Sequence, residues 1–253
     1  MPQDSPQFLS VGTEGRRIAV RLTGTPDPAR PTVVWCGGFL SDMMGSKAQA
    51  LAEWGARTGR AVVRFDYSGH GESEGRFEDG TISRWAEEAG AVAAAFAGGP
   101  PVLVGSSMGG WIALLLARAS APPPAGLVLV APAPDFTEEL MWQAMPDEVR
   151  ARILTEGAWL RPSDYGAPTP ITRALIEDGR ANLVLGAPFS VGCPVRILQG
   201  VADPDVPWRH AVRLVSCLAE DDVVLTLVKD GDHRLSRPED IDRLLAAVAE
   251  VGA

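Results

Sequence analysis

Short apolar runs alternate with helical stripes along most of the chain, and this alternation predicts the architecture. Phe8 to Val11 and Ile18 to Leu22 read as two strands separated by the turn-forming Gly12-Thr13-Glu14-Gly15, which predicts a hairpin at one sheet edge. After the proline-rich TPDPARP loop, Thr32 to Trp35 reads as a buried strand. A helical pattern from Ser46 to Thr58 follows and is closed by Gly59. Ala61 to Phe65 is the next strand, and the helix over 82 to 97 places Trp85, Ala89, Val92 and Phe96 on one face. Val102 to Val104 and Met108 to Ala119 form a buried strand and a helix that is apolar on nearly every face, and Gly126 to Ala131 is another strand. Past residue 192 the alternation resumes. Val195 to Gln199 is a strand, and a helix from Pro207 carries Trp208, Ala211, Val212, Val215 and Leu218 on one face. Val223 to Val228 is the last strand, and a capping box from Ser236 to Glu239 opens a final helix striped by Ile241, Leu244, Leu245 and Val248. Repeated strand–helix units predict an α/β fold: a mostly parallel sheet, helices on both faces, and chemistry beyond the carboxyl ends of the strands.

Residues 133 to 192 break this pattern. They are rich in proline and hold three short helical patterns, near 137 to 145, 147 to 156 and 170 to 178; Pro170 opens the third, and Gly157 and Gly179 close the second and third. Leu140, Met141, Trp142, Met145, Trp159 and Leu160 are more apolar surface than so short a segment buries alone. The expected organisation is a core of residues 1–132 and 193–253 carrying a helical cap over 133–192. Met141, Trp142, Met145 and Trp159 are then either the cap's own small core or the lining of an apolar substrate pocket.

Composition narrows the possible partners. A net charge of −9 disfavours nucleic acid and anionic membranes, and no stretch approaches a membrane span or a secretory signal, so a cytoplasmic protein is expected. Cys36, Cys193 and Cys217 are odd in number and widely spaced in apolar surroundings, the pattern of buried thiols rather than of a disulfide framework or a metal site.

The chemistry centres on Gly105-Ser106-Ser107-Met108-Gly109. A G-x-S-x-G turn between strand and helix pushes the central hydroxyl out above the sheet and leaves the Met108 N–H without an intrahelical partner, aimed at a developing oxyanion. A serine hydroxyl is a weak nucleophile, so it needs a base and an acid that orients the base. Of the three histidines, His70 precedes the serine and His210 lies within a helix, whereas His233 sits in the turn-rich KDGDH at the carboxyl edge. Asp203 in GVADPDVPW is the favoured acid and Asp205 its rival; the loop Cys36-Gly37-Gly38-Phe39 supplies Phe39 N–H as the second oxyanion donor. No nucleotide-binding motif is present, so no cofactor and no metal are expected.

With these residues in place the chain resembles an α/β-hydrolase, and Asp66-Tyr67-Ser68-Gly69-His70-Gly71-Glu72-Ser73 resembles the segment that precedes the elbow strand in that superfamily. A narrower resemblance is to the mitochondrial palmitoyl-protein thioesterase and acyl-glucuronide esterase group and its bacterial relatives. It rests on GSSMGGW, CPVRILQGVADPDVPW, DHR and MPDEVRARILTEGAWLRPSDYG. That resemblance implies a triad of Ser107, Asp203 and His233, a structural role for His70, and hydrolysis of a carboxylic ester or thioester on a small molecule or an acylated protein. Two features depart from the pattern: no mitochondrial presequence is recognisable, and Gly37 stands where many α/β-hydrolases carry histidine. Carbon–carbon bond hydrolysis, cofactor-free haloperoxidase activity and ligand binding by an idle site are the other functions this scaffold carries.

Overall fold

A computed structural model describes residues 5–162 and 168–253. In chain order its elements are β1 (Gln7–Val11), β2 (Arg16–Thr23), β3 (Val33–Cys36), α1 (Ser46–Thr58), β4 (Val62–Phe65), α2 (Ile82–Phe96), β5 (Val102–Ser106), α3 (Met108–Ala119) and β6 (Gly126–Val130). After a π-helical stretch over Thr137–Trp142 come α4 (Asp147–Glu156), β7 (Ala158–Arg161), β8 (Thr169–Thr172), α5 (Arg173–Ala181), β9 (Val195–Gly200), α6 (Trp208–Cys217), β10 (Val223–Val228) and α7 (Pro238–Val251).

Eight of the strands form one sheet in the order β1-β2-β4-β3-β5-β6-β9-β10. The β1–β2 hairpin is antiparallel and β2 runs antiparallel to β4, whereas every pairing from β4 to β10 is parallel. Alternate strand residues feed two cores. Val33, Val62, Val102, Val104, Val128 and Val130 pack with Leu51 of α1 and Leu244 and Val248 of α7. Their neighbours Val34, Val63, Leu103, Leu127, Leu129 and Ile197 pack with Trp85 of α2, Trp111 and Ile112 of α3 and Leu214 of α6. Each such aliphatic side chain contributes about 1.5–3 kcal/mol when fully buried, so the two cores and not surface ion pairs hold the sheet.

Several expected details change. Pro170 lies inside β8, which pairs with β7 in a separate two-stranded sheet; Thr172 caps α5 by accepting the Leu175 N–H, so the helix begins three residues later than its proline suggests. Gly179 does not end that helix. It lies inside α5, where a Cβ would sit 2.1 Å from the Thr137 hydroxyl oxygen, so close packing explains this glycine. The Ser236–Glu239 capping box does not form: α7 starts at Pro238 with Arg237 as N-cap and no side-chain cap. On α6 the buried face is His210, Ala211 and Leu214, and Val212 is exposed, because His210 Nε2 donates to Pro134 O at 2.7 Å and so satisfies a polar ring in the interior. Cys36 and Cys193 are buried, but Cys217 is only half-buried because it closes the exposed end of α6. No helix among the described residues is long and apolar enough to cross a membrane.

Candidate active site

Four strands of the parallel sheet deliver the candidate residues to one edge: Phe39 follows β3, Ser107 follows β5, Asp203 follows β9 and His233 follows β10. Ser107 takes φ 54° and ψ −119°, a left-handed conformation that costs a serine of order 1–3 kcal/mol and persists only under constraint. The constraint is visible in three hydrogen bonds. Ser107 N–H donates to Val130 O at 2.9 Å, and Ser107 O accepts from Gly110 N–H at 2.9 Å and Ala133 N–H at 3.1 Å. The flanking glycines are required by space. A Cβ on Gly105 would lie 2.3 Å from Gly109 O, and one on Gly109 would lie 2.0 Å from Cys36 O.

His233 Nε2 lies 3.1 Å from Ser107 Oγ, and His233 Nδ1 lies 2.8 Å from Asp203 Oδ2. Asp203 is buried. Its Oδ1 accepts from the N–H groups of Asp205 at 2.8 Å and Val206 at 2.9 Å, and its Oδ2 also accepts from Gln199 Nε2 at 3.1 Å. Burial alone would raise this carboxyl, but the His233 hydrogen bond and the two backbone donors outweigh it and hold Asp203 below the ordinary carboxylate range. An ionised Asp203 accepts the hydrogen bond that His233 Nδ1–H donates, which leaves Nε2 free to accept from the serine hydroxyl. Asp205 enters this network through its backbone N–H, and its side chain is exposed.

Among the described residues the N–H groups of Phe39 and Met108 have no hydrogen-bond acceptor. The turn carrying Phe39 is held by His70. Its Nε2 accepts the Leu40 N–H at 3.3 Å, its Nδ1 donates to Ser68 O at 3.2 Å, and burial lowers its pKa, so the ring is kept neutral. Leu40 occupies the left-handed region at φ 58°, so the strained position of this turn is a leucine and not Gly37 or Gly38.

Two cavities open on Ser107 and share Phe39 and His233 between them. One, of about 410 Å³, is walled by Ala133, Phe136, Leu140, Met141 and Val206, with Arg161 and Asp205 beside them. The other, of about 420 Å³, includes Ser41, Lys47, Arg234 and Ser236. Of the four apolar residues singled out in the 133–192 segment, Met141 lines the first cavity. Trp142, Met145 and Trp159 pack on Ile153, Ile171 and Ile176, a small cluster of the segment's own. Phe136 and Leu140 carry no sequence signal as lining residues beyond their apolar character, and Lys47 carries none, since its partners lie 187 and 189 residues away.

Ligand atoms of Asp203, Asp205 and His233 lie within 4.8 Å of one another, the spacing of a cation site. Asp203 and His233 spend those atoms on the hydrogen bonds above, so a cation there would have to displace the contact between them. Neither buried thiol competes as a nucleophile: burial pushes Cys36 up to about 12 and Cys193 up to about 11.

Comparison with known proteins shows the family and the fold. The human mitochondrial palmitoyl-protein thioesterase ABHD10 is 33% identical over 263 residues, covering 99% of this chain and 85% of the relative. The mouse alpha/beta hydrolase domain-containing protein 10 structure superposes with a TM-score of 0.86 at 32% identity, covering 98% of both chains. An Agrobacterium vitis S4 protein described as a hydrolase superposes with a TM-score of 0.92 at 49% identity, covering 99% of each. A model of the alpha/beta hydrolase family matches residues 19–252. With its parallel sheet, its strained serine turn and these relatives, the chain belongs to the alpha/beta hydrolase family.

Proposed function

We propose that the protein is a serine hydrolase that cleaves carboxylic ester or thioester bonds of apolar acyl groups through an acyl-enzyme on Ser107. The observation that carries this reading is the continuous hydrogen-bonded run Asp203–His233–Ser107, ending on a serine whose backbone is held in a strained turn. Ser107 Oγ attacks the acyl carbon while its proton passes to His233 Nε2. The oxyanion is held by Phe39 and Met108 N–H, each worth about 3 kcal/mol in the transition state. The tetrahedral intermediate collapses, the leaving thiol or alcohol takes the proton from His233, and water repeats the sequence to release the acid. Asp203 holds the Nδ1–H tautomer and stabilises the imidazolium. The segment 133–192 serves as a cap whose Phe136, Leu140 and Met141 wall the acyl chain. Relatives named palmitoyl-protein thioesterase support an acylated protein or small-molecule thioester as substrate.

Kinetics on p-nitrophenyl esters and acyl thioesters test this. Ser107→Ala and His233→Ala should each lose at least about 10⁴-fold in kcat, because the two act as a unit, and Asp203→Asn somewhat less. A Ser107→Ala variant that keeps its turnover would overturn the reading.

A further inference from the structure

The half-exposed His233 is carried by the segment between β10 and α7, and something must fix its direction toward Ser107. The second peptide after it, between Arg234 and Leu235, is pinned at both edges. Its N–H donates to Asp232 Oδ1 at 2.9 Å, and its carbonyl accepts from Lys47 Nζ. Lys47 Nζ also donates to Ser236 Oγ at 3.3 Å, and Ser236 Oγ donates in turn to Arg234 O at 3.1 Å. The peptide leads into Leu235, a non-glycine residue at φ 43° whose side chain is buried in the core beside Leu244. Such a conformation relaxes unless its surroundings hold it. Lys47 stands in the first turn of α1, directly after the loop that carries Phe39, so one ammonium ties the base-bearing segment to the oxyanion loop.

Its placement does not suit a merely stabilising role. Among the described residues no carboxylate pairs with Lys47, and burial lowers its pKa to about 8, opposed by Asp232 and Asp240 and reinforced by Arg234. Burial outweighs the attraction of Asp232 and Asp240 for this ammonium, so its gain lies in the geometry that its donors impose.

We propose that Lys47 is a positioning residue: by fixing the Arg234–Leu235 peptide from the α1 side, its ammonium holds His233 in hydrogen-bond reach of Ser107. This rests on the serine-hydrolase reading, and the two fail separately. Fluorophosphonate labelling of the wild-type serine tests that reading without reference to Lys47.

The test compares Lys47→Met, Lys47→Arg and wild type for kcat, KM, rate of fluorophosphonate labelling and Tm. Misplacing the base lowers the reactivity of Ser107 while leaving the acyl cavity intact. Lys47→Met should therefore lose about 10- to 100-fold in kcat and in labelling rate, with KM within about twofold and Tm at or above wild type. Lys47→Arg, which restores a cationic donor, should recover most of kcat. Asp232→Ala removes the acceptor on the opposite edge of the same peptide and should show the same loss, which keeps the test decisive if Lys47→Met folds poorly. Wild-type kcat and labelling in Lys47→Met or Asp232→Ala, or a loss in Lys47→Met that Lys47→Arg does not restore, would overturn the proposal.

Discussion

On either side of Ser107 the turn admits no residue but glycine: a Cβ at position 105 or 109 would meet backbone oxygen, which cannot move aside. Gly109→Ala should therefore destabilise the protein by about 1–3 kcal/mol or more, as overpacking does. Gly99→Ala, where a Cβ meets nothing within 4 Å, is the control. Urea unfolding of the two variants checks this, and equal midpoints would refute the steric account. The acid is half-legible. Asp203 and Asp205 look alike in GVADPDVPW, and only the fold brings Asp203 Oδ2 to 2.8 Å from His233 while leaving Asp205 exposed. Leu40 at φ 58° and Leu235 at φ 43° are not legible at all, since leucine is no marker of left-handed backbone.

At the scale of elements, strands and long helices follow from periodicity, and errors gather where one residue serves two structures. Pro170 suits a helix start, yet it also suits an edge strand that needs no donor at that position, and pairing with Leu160 decides for β8. Ser236 suits an N-cap, but its hydroxyl is taken by Arg234 O and Lys47. The π-helical stretch over Thr137–Trp142 explains why its apolar residues divide as they do. A widened turn sends Leu140 and Met141 toward the cavity at Ser107, while Trp142 packs on the cluster of Ile153, Ile171 and Ile176, which Met141 also touches. Chain-length preference should follow that division. Each acyl methylene buried against Leu140 and Met141 is worth about 0.8 kcal/mol, so medium acyl esters should exceed acetyl in kcat/KM. Leu140→Ala and Met141→Ala should flatten the series, whereas Trp142→Ala should act mainly on stability. A p-nitrophenyl series from acetyl to decanoyl measures this, and rates that fall steadily with length would remove the acyl role from the segment.

For the whole molecule, the parallel sheet and the meeting of its loops at one edge are legible from alternation and chain order alone, because right-handed crossovers leave few arrangements. What sequence order does not carry is the support behind the site, such as neutral His70 under the Leu40 turn. That support has a pH signature. A histidine whose folded pKa lies below its unfolded value contributes stability that is complete above the unfolded pKa and is lost as pH falls below it. Asp66 and Asp135, raised by burial against their backbone donors, act in the opposite direction at lower pH. The Tm of the wild type should fall between about pH 7 and pH 5, and His70→Gln should fall less steeply over that range. Identical slopes would mean that His70 is not the group responsible. If the convergence of four strand ends makes Ser107 the nucleophile, one adduct reports it. The protein is reacted with a fluorophosphonate, digested and sequenced by tandem mass spectrometry. The adduct is expected on Ser107 in the wild type, with no labelling of Ser107→Ala; an adduct on the neighbouring Ser106, or undiminished labelling of Ser107→Ala, would rule out Ser107 as the nucleophile.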